Sequence, residues 1–184
     1  MGRAPHERSV FLLLVAAISI ACASAFGPKT QELIDTICCR MEDYGFCYKC
    51  FSEHISTPET DMPGLARIAV EQSLHNGSAT LNLAKRTLRN TTDPELENYL
   101  RICINGYLKI LDLIENADRV FRNKNYCAVL TDFLNSAKVL AIQCGRYSNR
   151  HGIRNPLYEN NREERILITM GAATAYSLLL GGSA

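Results

Sequence analysis

The sequence lacks a surplus of charge of either sign. Its 184 residues include 20 basic and 19 acidic side chains, so the formal net charge is +1 at pH 7. Without residues 1–25 the chain also loses Arg3, Glu7 and Arg8, and its basic and acidic residues become equal in number. Proteins that bind nucleic acids need a basic face that displaces counterions from the phosphates. The charge balance therefore argues against nucleic acid as a partner.

The sequence also has few residues that could build a catalytic or metal site. Beyond residue 25 its histidines are His54, His75 and His151, which are widely separated and lack the spacing of zinc ligands. It contains no Gly-rich phosphate loop and no G-x-S-x-G motif. The C-x-x-C at residues 47–50 has no βαβ pattern around it, so structural disulfides explain it better than redox activity. We therefore expect no enzyme activity, no cofactor and no metal.

Two pairs of acidic residues, Asp93 with Glu95 and Glu163 with Glu164, are the remaining candidates for acid–base chemistry. Both pairs stand at predicted helix starts, where negative charge interacts favourably with the helix dipole. We interpret them as residues that stabilise helix N-termini.

Residues 1–25 have the three-part layout of a cleaved secretory signal. Two arginines precede an apolar stretch over residues 10–21, and Ala23-Ser24-Ala25 supplies the small residues of a cleavage site. The apolar stretch is shorter than the roughly 20 residues that a membrane-spanning helix needs. The last apolar segment, residues 166–180, also lacks the run of small residues that precedes a lipid-anchor site. We predict a secreted chain that starts near Phe26, forms one domain and has no membrane partner.

Two N-glycosylation sequons, Asn76-Gly77-Ser78 and Asn90-Thr91-Thr92, agree with a secreted chain, and both asparagines are candidate sites. Gly77 falls on the apolar stripe of its predicted helix, and Asn76 lies about 100° around the helix from it. We therefore expect Asn76 to stay clear of the buried face.

Helical spacing of apolar residues dominates the chain from Asp61 onward, and no long window alternates as a strand would. Asp61 and Asp93 each stand shortly before a proline, which is typical of helix starts. Continuous apolar faces run over residues 96–121 and 126–147. These patterns predict four long helices over residues 63–89, 94–121, 124–147 and 160–180, preceded by a short helical hairpin within residues 29–54.

An up-and-down four-helix bundle is the simplest packing for long amphipathic helices with short connections. We therefore predict an all-α, disulfide-linked chain. Its N-terminal helical hairpin occupies residues 26–58, and its four-helix bundle occupies residues 61–184.

Eight cysteines are present, and seven remain once Cys22 leaves with the signal. Pairing is the default in an oxidising compartment, and the odd count leaves at least one thiol unpaired. The separation of Cys38 and Cys47 suits a bridge between two short antiparallel helices joined by a tight turn. Cys103 and Cys144 fall on the inner faces of two predicted helices, where a bridge would close a loop of about 41 residues.

Several motifs occur in an order and spacing that resemble the plant invertase and pectin methylesterase inhibitor family. They are LIDTIC-x8-C at residues 33–47, DMPGLARIA at 61–69, DPELENYLRIC-x3-Y at 93–107, KNY at 124–126 and QC at 143–144. The stretch over residues 152–160 further resembles the ending of invertase inhibitors. The resemblance implies a four-helix bundle with a helical hairpin, and disulfides that join Cys38 to Cys47 and Cys103 to Cys144. It also implies a plant inhibitor of the apoplast or the vacuole, whose protein partner is an invertase or a pectin methylesterase.

Three cysteines have no counterpart in the four-cysteine pattern of that family. A third bridge between Cys39 and Cys50 would leave Cys127 as a free thiol, and bridges 38–50 with 39–47 are an open alternative. Cys127 follows the stripe residue Tyr126, so we interpret it as a small buried side chain rather than as the source of an intermolecular bridge.

We therefore predict a monomeric inhibitor that docks on a carbohydrate-active enzyme through exposed bundle helices or the turn near Lys124. A secreted lipid carrier is the alternative, because small helical carriers with eight cysteines share the adjacent pair at residues 38–39. The lack of a C-x-C motif and the apolar stripes able to close the core argue against it. A helical signalling ligand is a third class that the sequence leaves open.

Overall fold

The structure is a computed structural model that describes residues 26–145 and 154–181. The described residues form six α-helices and no strand. The helices are α1 (Pro28–Cys38), α2 (Tyr44–His54), α3 (Met62–Asn90), α4 (Pro94–Arg122), α5 (Tyr126–Leu140) and α6 (Tyr158–Gly181). A π-helical turn, Ala141–Gly145, continues α5. The predicted secretory signal lies outside the described residues.

Helices α3 to α6 pack as an up-and-down four-helix bundle. Helix α4 packs against α3 and α5, and α5 packs against α6. Helix α6 also packs against α3, which closes the bundle. Helices α1 and α2 pair as a hairpin that rests against α3 and α6. The predicted all-α bundle with an N-terminal helical hairpin is thereby confirmed.

Side chains at the predicted starts of α3 and α4 act as N-caps. Asp61 Oδ1 accepts a hydrogen bond from the backbone N–H of Gly64 (2.9 Å), and Asp93 Oδ1 accepts one from Glu95 (3.0 Å). Each bond satisfies an N–H that has no partner within the helix itself. The Asp-to-Pro pattern therefore sets where both long helices begin.

The described residues bury two apolar clusters. One fills the bundle and includes the fully buried side chains of Tyr99, Tyr107, Ile110, Ile114 and Phe133. The other joins the hairpin to the bundle and includes Ile34, Ile37, Phe51, Leu65, Ile166 and Met170. Because α6 contributes to both clusters, it connects the hairpin to the bundle.

Two hydrogen bonds join α4 to α6 and to the segment just before it. The hydroxyl of Tyr99 donates to Asn155 Oδ1 (2.6 Å), and the hydroxyl of Tyr107 donates to Asn161 Oδ1 (2.8 Å). A shift of α6 along α4 would break the buried bond between Tyr107 and Asn161, at a cost of about 1–3 kcal/mol. Tyr107 therefore helps to set the register of the last helix.

The turn of the hairpin is held to α6 by two arginine–carboxylate contacts. Arg162 Nη2 lies 2.6 Å from Asp43 Oδ2, and Arg165 Nη2 lies 2.7 Å from Glu42 Oε1. The pKa of Asp43 is lowered, first by the hydrogen bond from the Phe46 amide and then by the one from Arg162. These pairs are partly solvent-exposed, so they orient the hairpin more than they stabilise it.

The seven cysteines of the described residues form two disulfides. One joins Cys38 to Cys47 between α1 and α2, and the other joins Cys103 to Cys144 between α4 and the π-helical turn, with Cα–Cα distances of 5.5 and 5.0 Å. These are the two pairs that the resemblance implies.

Cys39, Cys50 and Cys127 are free thiols. The structure does not form the third bridge considered for Cys39 and Cys50, because Cys39 is exposed beyond the end of α1 whereas Cys50 is buried in the hairpin cluster. The interpretation of Cys127 as a buried side chain is wrong, since it is exposed. One position after Tyr126 is about 100° around the helix, which turns Cys127 away from the bundle.

The stretch Tyr126–Gly145 is long and apolar enough to span a membrane by length and composition, with a mean hydropathy of 1.2. In the structure it is α5 with its π-helical turn, one of the four bundle helices. Its side chains Val129, Phe133 and Leu140 are buried in the bundle. About 33% of this stretch is buried, on the side that packs between α4 and α6.

At Gly171, α6 packs directly against the side chain of Phe133 on α5. A Cβ at this position would overlap the ring of Phe133, which is fully buried and has no room to move. We expect Gly171→Ala to lower the free energy of unfolding by about 1–3 kcal/mol through overpacking. Gly181→Ala is the matched control on the same helix, because a Cβ there meets nothing within 4 Å. Thermal unfolding of both variants tests this expectation, and equal stability of the two would contradict it.

Candidate docking surface

A groove runs along the outer surface between α4 and α5. Its volume is about 390 Å³. Helix α4 contributes Lys109 and Leu113, and α5 with its π-helical turn contributes Asn135, Lys138, Val139, Ile142 and Gln143. The groove therefore has an apolar floor and a polar rim.

Contacts between α4 and α5 lie on both sides of the groove along the helices. At one end Asn116 Nδ2 donates to Asp132 Oδ2 (2.6 Å). At the other end Gly106 leaves space for the side chain of Gln143, which a Cβ on Gly106 would meet at 2.9 Å. The Cys103–Cys144 bridge lies at this second end and ties the two helices covalently. The groove is thus a fixed feature of the bundle.

The outward side of α5 presents apolar side chains to solvent beside the groove. Leu134 is 57% exposed and Ile142 is 47% exposed. With Lys138 they are spaced four residues apart, so they form one row along the helix. The row therefore adds exposed apolar surface beside the groove, which a docked partner would bury.

The charged side chains that line the groove are both basic, Lys109 and Lys138. Their positions on two different helices place a positive charge on each side of the apolar floor. Such an arrangement is complementary to a partner with an apolar protrusion and nearby carboxylates.

The turn between α4 and α5 extends the same surface. Lys124 adopts a left-handed backbone conformation with φ 56°, and its N–H donates to Phe121 O (2.8 Å). The rings of Phe121 and Tyr126 pack 5.9 Å apart across the turn. Arg122 and Lys124 are both exposed. The turn is therefore held by a hydrogen bond and a ring contact, and it exposes two basic side chains.

A second cleft, where α2, α3 and α6 meet, brings together two of the histidines that are far apart in the sequence. His54 and His75 line it with Glu53 and Glu163. His54 Nδ1 is 2.7 Å from the backbone oxygen of Cys50. Within residues 26–145 and 154–181 no three His, Cys, Asp or Glu side chains are grouped so as to hold a metal ion. His151 lies outside the described residues.

Glu164 is a buried acid that sequence reasoning misplaced. Helix α6 begins at Tyr158, so Glu164 lies in its second turn and faces α3 rather than stabilising the N-terminus. Its Oε2 accepts a hydrogen bond from Asn76 Nδ2 (2.9 Å), and its Oε1 has no hydrogen-bond partner. Burial raises the pKa of Glu164 from 4.5 to about 8, and the Asn76 hydrogen bond partly opposes this. The carboxyl group is therefore mostly protonated below neutral pH.

The expectation that Asn76 stays clear of the buried face is wrong. Asn76 is half-buried, because α3 is covered by α6 as well as by α4. The buried strip of α3 is consequently wider than its apolar stripe. Asn90, the last residue of α3, is exposed.

Three separate comparisons show that the chain is similar to known proteins. A family model described as "Plant invertase/pectin methylesterase inhibitor" matches residues 32–150. The chain is 24% identical over 122 residues to a protein of Platanus orientalis called "Putative invertase inhibitor", which covers 66% of this chain and 71% of the relative.

Two crystal structures of pectin methylesterase inhibitors from Arabidopsis have the same fold. One, a mutant form, matches with a TM-score of 0.70 at 14% identity. The match covers 78% of this chain and 95% of the inhibitor chain. The other, from Arabidopsis thaliana, matches with a TM-score of 0.61 at 15% identity. This match covers 80% of this chain and 96% of the inhibitor chain.

Proposed function

This chain belongs to the plant invertase/pectin methylesterase inhibitor family, and we propose on that premise that it docks on and blocks an invertase or a pectin methylesterase through the α4–α5 groove. Members of this family are inhibitors rather than enzymes. The observation that carries the choice of surface is the row of Leu134, Lys138 and Ile142 beside a groove that Lys109 and Lys138 flank.

The stiffness of the surface supports inhibition by steric occlusion. A disulfide, a buried side-chain contact and a hydrogen bond hold α4 and α5 together along the groove. A preorganised surface loses little conformational entropy when it binds, so more of the contact energy becomes affinity. Rigid inhibitors typically dock with little backbone movement.

The charge of the surface supports an acidic partner site. Enzymes that hydrolyse glycosidic bonds carry a pair of Asp or Glu residues at the active site. An invertase, which hydrolyses sucrose, would present such carboxylates at the bottom of a cleft. Lys109 and Lys138 would then lie opposite the acidic mouth of the enzyme, where complementary charge accelerates association and fixes the orientation.

The packing of the interior favours the inhibitor over the lipid carrier considered from the sequence. Tyr99, Tyr107 and Phe133 are fully buried and fill the bundle where an apolar ligand would have to lie. The chain would therefore bind its partner through its outer surface rather than hold a ligand inside.

We also propose that residues 1–25 are removed as a secretory signal and that the mature chain, residues 26–184, acts outside the cytoplasm in the apoplast or the vacuole. We propose that residues 26–58 form a hairpin unit and residues 61–184 a bundle unit, a division that the boundary between α2 and α3 supports. N-terminal sequencing of the protein secreted by plant cells tests the cleavage site, and a mature chain that begins elsewhere would refute it.

Charge reversal in the groove tests the docking surface. We expect Lys138→Glu to raise the inhibition constant roughly tenfold, equivalent to about 1.4 kcal/mol, and Lys109→Glu with Lys138→Glu to raise it further. The measurement is a titration of the target enzyme at fixed substrate, repeated at high salt, where the difference should shrink.

Lys85→Glu is the matched control for this experiment, because Lys85 is equally a surface lysine but lies on α3. Thermal unfolding of all variants shows whether the fold is intact. An equal loss of inhibition in the Lys85 variant, or none in the double variant, would exclude the α4–α5 groove as the docking surface.

A further inference from the structure

The two glycosylation sequons occupy very different environments. Asn76 lies in the middle of α3, and its side chain faces α6. Asn90 is the last residue of α3, next to the loop that leads to α4. A glycan needs both access to solvent and a free amide nitrogen, so the two sites are not equivalent.

The amide nitrogen of Asn76 is already used inside the fold. Its Nδ2 donates to Glu164 Oε2 (2.9 Å) and to the backbone oxygen of Asn160 (3.3 Å). Nδ2 is also the atom to which an N-glycan would be joined. A glycan on Asn76 would replace one of the two amide protons that make these bonds, at the contact where α6 packs against α3. Modification there would therefore disrupt this contact.

Glu164 depends on this hydrogen bond. The carboxyl group is fully buried, and its other oxygen has no partner. A buried polar group that loses its partner costs about 1–3 kcal/mol. Asn76 is therefore a structural residue, whose role is to satisfy Glu164 at the α3–α6 contact.

Asn90 has the opposite properties. It is exposed, and the residue after it, Thr91, has an extended backbone with φ −92° and ψ 144°. Thr92, whose hydroxyl completes the sequon, is exposed as well. The sequon therefore lies at a helix end rather than within a helix, where its backbone and side chains are accessible.

We propose that Asn90 is the N-glycosylation site of this chain and that Asn76 is not modified in the folded protein. The proposal rests on the secretion proposed above. In the modification, Asn90 Nδ2 forms a bond to the anomeric carbon of a lipid-diphosphate-linked oligosaccharide, the amide loses one proton, and the lipid diphosphate leaves. The glycan would lie at the start of α4, and α4 places it about 43 Å from the Lys124 turn. It would therefore leave that end of the docking surface uncovered.

The test uses the full chain expressed in plant cells, with two variants that remove each sequon without changing its asparagine. Ser78→Ala abolishes the first sequon but keeps the bond from Asn76 to Glu164, and Thr92→Ala abolishes the second. Intact mass before and after enzymatic deglycosylation counts the glycans. We expect one glycan on the wild type, one on the Ser78 variant and none on the Thr92 variant.

Three results would overturn the proposal. They are a wild-type chain with two glycans, a chain whose single glycan is lost in the Ser78 variant, and a chain that carries none. Because the readout is mass, the result is independent of whether the protein inhibits either enzyme. In the titration used for the docking surface, the Thr92 variant should inhibit as the wild type does.

Discussion

The free energy of unfolding is expected to fall by on the order of 5 kcal/mol between pH 4.5 and about 8 because of Glu164 alone. In the unfolded chain this carboxyl group titrates near 4.5, whereas burial raises its pKa to about 8 in the folded protein. The folded state therefore binds more protons throughout this interval. The stabilisation is complete below the unfolded pKa, decreases by about 1.4 kcal/mol per pH unit, and is lost above the folded pKa.

The groups around Glu164 do not compensate its charge. From α3 it is faced by Asn76 and Gly77, which are neutral. From α4 it is approached by Tyr107, whose own pKa is raised well above 10 by burial and by the charge of Glu164. Asp43 acts in the opposite direction, because its lowered pKa contributes stability that is lost as the pH falls below its unfolded value of 3.8. The optimum of stability should accordingly lie on the acidic side of neutrality.

Denaturant unfolding over this pH range measures the effect, and Glu164→Gln is the informative variant. A glutamine keeps an acceptor for Asn76 and cannot ionise, so its stability should be nearly independent of pH between 4.5 and 8. Glu163→Gln removes the same type of charge one residue earlier from a partly exposed position, and should keep the slope of the wild type. A wild-type curve as flat as that of Glu164→Gln would refute the role given to Glu164.

Loss of the bridge between Cys103 and Cys144 is expected to destabilise the protein by about 4 kcal/mol. The bridge closes a loop with a sequence separation of 41 residues and limits the freedom of the unfolded chain. For a chain of this size the melting temperature should drop by about 10 °C. The double variant Cys103→Ala with Cys144→Ala tests this by calorimetry.

Two matched variants serve as references for that loss of stability. Removal of Cys38 and Cys47 opens a loop with a separation of only 9 residues, so its cost should be nearer 2.5 kcal/mol. Cys127→Ala removes an exposed free thiol and should change nothing measurable. If the short-loop variant melted at the lower temperature, chain entropy would not be the main contribution of the long-loop bridge.

The helices were predictable because their information is local. Apolar residues spaced three and four apart predict a buried face, and an aspartate before a proline predicts a start, so the ranges 63–89 and 94–121 fall inside α3 and α4. The same helical spacing also predicts that Cys103 and Cys144 lie on the buried faces of their helices. None of these features requires knowledge of which helix packs against which.

The errors concern contacts between helices that are distant in the sequence. Glu164 looks like a helix-start residue from its neighbours alone, yet α3 covers it in the bundle. Asn76 lies off the apolar stripe of α3, but α6 widens the buried strip and uses its amide. Buried polar pairs of this kind carry no hydrophobic signal, so periodicity does not reveal them.

The candidate site was predictable only in part. The sequence directs attention to exposed bundle helices and to the turn near Lys124, but it does not bring Lys109 and Lys138 together. Those lysines are on different helices and form one groove because Gly106 admits Gln143 and Asn116 binds Asp132. Only the packing of α4 against α5 shows that they share a surface.

Titration of purified invertase and purified pectin methylesterase with the oxidised protein tests the central claim most directly. We expect one of the two enzymes to lose its activity in proportion to added protein until a one-to-one complex is reached, with the other unaffected. If both enzymes kept full activity in a micromolar excess of the protein, the bundle and its groove would stand as a fold without the proposed inhibitory role.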